Sequence, residues 1–197
     1  MDAPPLRSNP FATRSIRPGR IPFLFPAGQQ LTALLDRLRG GGWWGQIVGP
    51  HGSGKSTLLA ALLPALRAAG RQVVLLELHD GQRRLPADVW RQPRFSAATQ
   101  LVIDGYEQLS RWQRLRIKRR CRLAGCGLLV TSHAPLGLPD VYCTRPDLET
   151  ALRVVQALLA DEPGAIGADE IERSFLAHHG NLREMLFTLY DVYERRR

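Results

Sequence analysis

The run Gly49-Pro50-His51-Gly52-Ser53-Gly54-Lys55-Ser56, followed by Thr57, holds the densest chemistry in the sequence. It fits the pattern G-x-x-x-x-G-K-[ST] in full. Gly49, Gly52 and Gly54 allow backbone conformations that turn N–H groups inward, which makes an anion cradle. A helix opening near Ser56 would add its positive end. The Lys55 ammonium then reaches the β and γ phosphates of a bound nucleotide as a point charge, and the Ser56 hydroxyl is placed to ligate Mg²⁺. These residues are therefore the expected nucleotide-binding set. Lys55 and Lys118 are the only lysines in the chain, and one of them stands where a phosphate lysine is needed.

A second chemical group is Leu101-Val102-Ile103-Asp104, apolar residues that end in an acid. A carboxylate at the tip of a strand beside the phosphate loop can hold a magnesium hydration shell. Asp104 and Ser56 are thus the expected metal ligands. A strand-end Asp that caps the next turn is the alternative. Further along, Leu128 to His133 is a strand that ends in polar residues, Thr131, Ser132 and His133.

The loop resembles the Walker A motif of P-loop NTPases. Asp104-Gly105-Tyr106-Glu107 resembles the D-G-x-[DE] form of Walker B in the NACHT and STAND branch. That resemblance makes Glu107 the candidate catalytic base, beside Lys55 and Asp104. An acid that favours the dipole of the next helix is the other reading of Glu107. Thr131 and Ser132 match a polar sensor position near the γ-phosphate, with Ser132 in the expected binding set. Thr131-Ser132-His133 looks like the Thr-Ser-Arg of NACHT-type proteins, with His133 in place of Arg. Gly180-Asn181-Leu182-Arg183-Glu184 resembles the second sensor region of AAA+ proteins, where the Arg contacts the γ-phosphate. Asn181 is also a good N-cap in its own right.

Positioning these residues requires alternating strands and helices. Apolar runs at 43–48, 73–78, 101–104, 127–131 and 141–143 read as strands. Helical patterns lie at 29–39, 56–69 and 109–124, and then at 148–160, 168–178 and 181–193. Alternation first and helices alone afterwards argue for an α/β fold with a parallel sheet, and a boundary near 146. The AAA+ and STAND resemblance implies a five-stranded parallel sheet of order 5-1-4-3-2, flanked by helices and carrying a small C-terminal helical lid. The expected divisions are an extended arm (1–27), a P-loop ATPase core (28–146) and the lid (147–197). The arm is rich in proline. Its apolar residues, among them Phe11 and Ile21 to Phe25, either cover an adenine ring or pack on the surface.

The 197 residues include 27 Lys and Arg against 18 Asp and Glu, a net charge of +9. Much of that excess lies between Ser110 and Ala124, which holds no acid. Arg111, Arg114, Lys118 and Arg122 are spaced as one helical stripe, leaving Trp112, Leu115 and Leu123 to pack on the sheet. The stripe suits a nucleic-acid backbone, an arginine finger offered to a neighbouring subunit, or plain solvent.

Several classes are excluded. No apolar run is long enough to span a bilayer, so no membrane partner is expected. The first twenty residues lack a signal-peptide core. Three cysteines (Cys121, Cys126, Cys143) without a CxxC pair argue against a disulfide scaffold or zinc site, and for buried or reduced thiols in a cytoplasmic protein. Neither the N-K-x-D of GTPases nor the L-S-G-G-Q of ABC ATPases occurs. The expected activity is Mg²⁺-dependent ATP hydrolysis coupled to a conformational or assembly switch, with nucleic acid, a protein or further copies of the chain as partners. Two alternatives stand beside it. One is a small-molecule kinase using Glu77, His79 and Asp80 for an acceptor hydroxyl. The other is a nucleotide-regulated adaptor with little hydrolysis.

Overall fold

Three of the apolar runs have no polar face, so they can only be interior strands. β1 (Trp44–Val48), β3 (Thr99–Asp104) and β4 (Gly127–Ser132) are buried along nearly their whole length. β2 (Gln72–Glu77) alternates exposed and half-buried positions, as an edge strand does, and β5 (Asp140–Cys143) closes the opposite edge. The computed structural model describes residues 9–26, 28–79, 81–85, 89 and 95–196. All strand pairs in it are parallel, in the order β2-β3-β4-β1-β5. Read from the other edge this is the 5-1-4-3-2 order expected from the sequence.

Because the strands are parallel, all five carboxyl ends lie along one edge. β1 pairs with β4 on one side and β5 on the other, so chain order reverses around β1. In open α/β sheets ligands bind in the crevice at that reversal. The phosphate loop leaves β1 there.

Helices cover both faces. α1 (Leu31–Gly40) and α2 (Lys55–Ala68) bury Leu34, Leu38, Leu58, Leu62 and Leu66 against Ile47, Val102 and Leu129. On the other face, Ile117 and Cys121 of α3 (Arg111–Leu123) pack with Leu101, Ile103, Tyr106, Leu128 and Val130. α2 runs through Pro64 as one helix.

The facing of α3 corrects the sequence reading. Trp112, Leu115 and Leu123 do not pack on the sheet; they are 81%, 59% and 79% exposed. Three members of the basic stripe are occupied within the molecule. Arg114 Nε donates to the Leu109 carbonyl at 2.9 Å, and Lys118 Nζ donates to the carbonyls of Leu136 and Gly137 at 2.8 and 3.3 Å. The Arg122 guanidinium lies over the Trp44 ring. Arg111 is exposed. With such a low apolar content, the helix offers only Ile117 and Cys121 as a buried seam, and long cationic side chains lay their stems beside it.

The cysteines are free thiols. Cys121 and Cys126 are buried, while Cys143 is exposed. The hydrogen bond with Cys126, and then burial, push the Cys121 thiol well up.

After Pro146 three helices follow, α4 (Leu148–Leu158), α5 (Ala168–Ala177) and α6 (Leu182–Glu194), around their own apolar cluster. Asp147 and Asn181 cap α4 and α6 by accepting from backbone N–H groups. The N-terminal arm completes this cluster. Phe11 is fully buried in it and meets Tyr193 edge-on at 6.0 Å, and Asn9 donates to Tyr190 O and Glu194 Oε1. Burying one such ring contributes about 1.5–3 kcal/mol. Among the described residues no helix is long and apolar enough to cross a membrane.

Candidate functional site

The loop between β1 and α2 has its shape dictated by glycine. Gly52 and Gly54 have φ of 66° and 89°, in the left-handed region that L side chains resist. At Gly49 the constraint is space. A Cβ there would strike Thr144 Oγ1, the Thr144 carbonyl and Ser53 Oγ. Ser53 Oγ lies 2.6 Å from Thr144 Oγ1 and donates to Pro50 O at 2.8 Å, so the loop is pinned to the chain leaving β5. Gly52 abuts the helical segment instead, where a Cβ would collide with the Asn181 amide that caps α6.

Lys55 opens α2 and points back through the loop. Its ammonium donates to the carbonyls of Gly49 and Pro50, both at 2.7 Å, and lies 3.3 Å from His133 Nδ1. Burial lowers its pKa, and the carboxylates of Glu107 and Asp104 oppose that effect. The phosphate lysine and both acids therefore share one electrostatic site, although they come from three separate elements.

Asp104 ends β3, where the Thr131 hydroxyl of the adjacent strand donates to its Oδ1. Thr131 Oγ1 also accepts from Gly105 N at 2.9 Å. Gly105, at φ 79°, turns the chain so that Glu107 falls in a short 3₁₀ turn spanning Tyr106–Gln108. Of the two residues expected at the tip of β4, it is Thr131 that meets the acid. Ser132 is fully buried and its hydroxyl donates to Ala134 O at 2.7 Å, so the structure does not bring that hydroxyl to the site.

His133 lies at the centre of the site. Its Nε2 is 2.6 Å from Glu107 Oε1. Its Nδ1 faces Lys55 Nζ at 3.3 Å and the Gly49 carbonyl at 3.4 Å. Its ring lies 3.6 Å, centroid to centroid, from that of His51 in the loop. Burial first, and then Lys55 and His51, lower its pKa, while Glu107 and the Gly49 carbonyl act the other way. The neutral tautomer with its proton on Nε2 suits both main neighbours: it donates to the carboxylate and accepts from the ammonium. The second Glu107 oxygen, Oε2, is buried with no hydrogen-bond partner. Only the departure from Thr-Ser-Arg marked His133 in the sequence; its partners come from two distant segments, the 49–55 loop and the turn that holds Glu107.

On the opposite side of the loop a cavity of about 350 Å³ opens between the sheet edge, the arm and the C-terminal helices. Gly52 to Thr57 form its floor, Phe23 and Tyr142 an aromatic wall, and Arg183 and Phe187 the side given by α6. Phe23, Phe25 and Tyr142 meet edge-to-face at 4.8–6.1 Å. Arg183 is exposed, its guanidinium 5.6 Å from the Phe187 ring. Thus the arm does line the cavity through Phe23, but Phe11 belongs to the helical core.

The donor set fits a nucleoside triphosphate with magnesium. The glycine cradle admits no side chain, the lysine is held inward, Ser56 stands at the opening of α2, and the acid Asp104 ends β3. Of the residues suggested for a kinase acceptor, Glu77 is exposed at the end of edge strand β2, His79 is exposed too, and Asp80 lies outside the described residues.

No family model and no curated protein matches the chain. Among solved structures it is similar to the crystal structure of a DNA replication initiation factor, with a TM-score of 0.54 and 17% identity, over 88% of this chain and 65% of that one. The chain thus spans just under two thirds of the length of that protein. At this identity the likeness speaks for the fold. Together with the strand order, it supports for this chain the five-stranded parallel α/β fold of that structure.

Proposed function

We propose that this protein is an ATP-binding P-loop ATPase of AAA+/STAND type, with a core over 28–146 and a lid over 147–197. The observation that carries the reading is that Lys55 and Glu107 meet at His133, one turn of chain from the strand-end acid Asp104. Adenosine occupies the cavity between Phe23, Tyr142 and the lid, and the phosphates lie along Gly49 to Thr57. Arg183 lines the cavity from the lid side. Mg²⁺ would be held by Ser56 and Asp104, and when bound it neutralises charge on the phosphate oxygens.

Hydrolysis needs a base for the attacking water, and Glu107 Oε2 is the oxygen left without a partner. Oε2 takes the water proton as the new O–P bond forms and the bond to the β-phosphate oxygen breaks. The proton then passes to the released phosphate. Lys55 offsets the charge on the transferring group. The purpose is a switch. Gly52 touches the cap of α6, so a nucleotide that reshapes the loop acts directly on the lid.

The test is phosphate release from ATP and Mg²⁺ with no acceptor present. The wild type is expected to turn over, and Glu107→Gln to lose about 10²–10⁴-fold in kcat while keeping ATP affinity. Phosphate release only when a small hydroxyl acceptor is added would move the reading to a kinase.

A further inference from the structure

Most of the site is explained by the P-loop, but His133 is not. It bridges two groups with distinct tasks, the lysine that meets phosphate and the acid that meets water. Its side chain is the only described one within hydrogen-bond distance of both Lys55 Nζ and the Glu107 carboxylate.

The geometry points to His133 as the positioning residue of hydrolysis: it fixes Glu107 through Oε1, so that Oε2 alone is left as base, and takes its own orientation from the Lys55 ammonium. The inference rests on the ATPase reading above. Three observations support it. First, the 2.6 Å contact to Oε1 holds one carboxylate oxygen and leaves the other buried and unpartnered. A carboxylate anchored at one oxygen has a defined direction for its second lone pairs, which an effective base requires. Second, Lys55 donating to Nδ1 requires the proton to sit on Nε2, and so makes the ring a donor toward Glu107. The phosphate lysine thereby sets the tautomer that orients the base. Third, the ring lies against His51, which keeps it from swinging away. The groups facing the imidazole are Glu107, Lys55, His51 and the Gly49 carbonyl.

Protonation of His133 disrupts this arrangement. Nδ1 would become a donor facing an ammonium, and an imidazolium beside Glu107 would make that carboxylate a weaker base. The ring therefore has to be neutral during turnover. Its surroundings hold it neutral to a lower pH than an ordinary histidine.

The experiment compares His133→Phe and His133→Gln with the wild type in steady-state ATP hydrolysis from pH 5.0 to 8.5. Gln supplies one donor and one acceptor and does not titrate in this range; Phe supplies neither. Wild-type kcat is expected to fall on the acid side, below the usual histidine range. His133→Phe is expected to lose at least about tenfold in kcat with KM for ATP within about threefold, since the phosphate cradle is intact. His133→Gln is expected to recover most of kcat and to lose the acid-side fall. Wild-type kcat and an unchanged pH profile in both variants would overturn the proposal, as would an equal loss in Gln and Phe. If Phe does not fold by thermal melt, the Gln profile alone decides. The underlying reading fails separately: a wild type that releases no phosphate from ATP rejects the ATPase assignment and this role with it, whereas active enzyme indifferent to His133 rejects only the role.

Discussion

Lys55 and Lys118 make nearly the same local bonds. Each donates to two consecutive backbone carbonyls, Gly49 and Pro50 in one case and Leu136 and Gly137 in the other. Burial lowers the pKa of both. What differs is the second layer of neighbours. Around Lys55, Glu107 and Asp104 oppose the effect of burial; around Lys118, Arg122 and Arg114 deepen it. One ammonium is set in an acid-lined site, where the proposed function has it exchange its carbonyls for phosphate. The other is a tether in a cationic patch, with two of its three donors bound to carbonyls. A lysine's function is thus decided by charges from other elements more than by its own hydrogen bonds.

The strongest way to break this comparison is to remove Lys55. Lys55→Ala is expected to weaken ATP binding by about 3–6 kcal/mol, at least about 100-fold, because charged hydrogen bonds to phosphate are lost. Titration calorimetry with ATP and Mg²⁺ measures it. Retained affinity would place Lys55 in the same structural class as Lys118.

A smaller effect sharpens the loop side of the comparison. Gly52→Ala puts a Cβ at φ 66° and against the Asn181 side chain. The backbone strain alone costs about 1–3 kcal/mol. Asn181→Ala loses a cap worth about 1 kcal/mol, but it also removes the obstructing amide. The two changes should therefore be less than additive in a melting series, as contacting residues are. Full additivity would mean that the loop and α6 are not in contact in solution.

How far the sequence disclosed each region follows the same line. The phosphate loop was legible because its constraints are local: glycines at fixed offsets, a buried strand before them and a helix after. The strand positions and the strand-end acid Asp104 were legible for a related reason, since apolar runs between turns read as strands, whereas the strand order was implied only by the AAA+ and STAND resemblance. The α3 helix misled. With seven cations and few apolar residues, its periodicity supports more than one buried face, and the spacing of Trp112, Leu115 and Leu123 pointed to the wrong one. The bonds of Lys118, Arg114 and Arg122 run to carbonyls and a ring brought near only by folding. His133 and the Gly52–Asn181 contact were hidden likewise. Gly49, His51, Lys55, Glu107 and His133 are joined by tertiary structure, and no spacing in the chain encodes that.

The smallest effect tests the tether itself. Lys118→Ala removes two hydrogen bonds to the 136–137 carbonyls, a loss of about 1–2 kcal/mol if they acted alone. It also removes a positive charge that Arg114 and Arg122 repel, which offsets part of that loss. The net destabilisation should then be under about 1 kcal/mol, with ATP affinity unchanged. Salt separates the two contributions. Added salt screens the repulsion among the three cations, so it should stabilise the wild type more than the variant, and the gap between their melting temperatures should widen from low to high ionic strength. A gap that narrows with salt would mean that Lys118 is held by an attraction to an acid, and the two lysines would then differ less than their surroundings indicate.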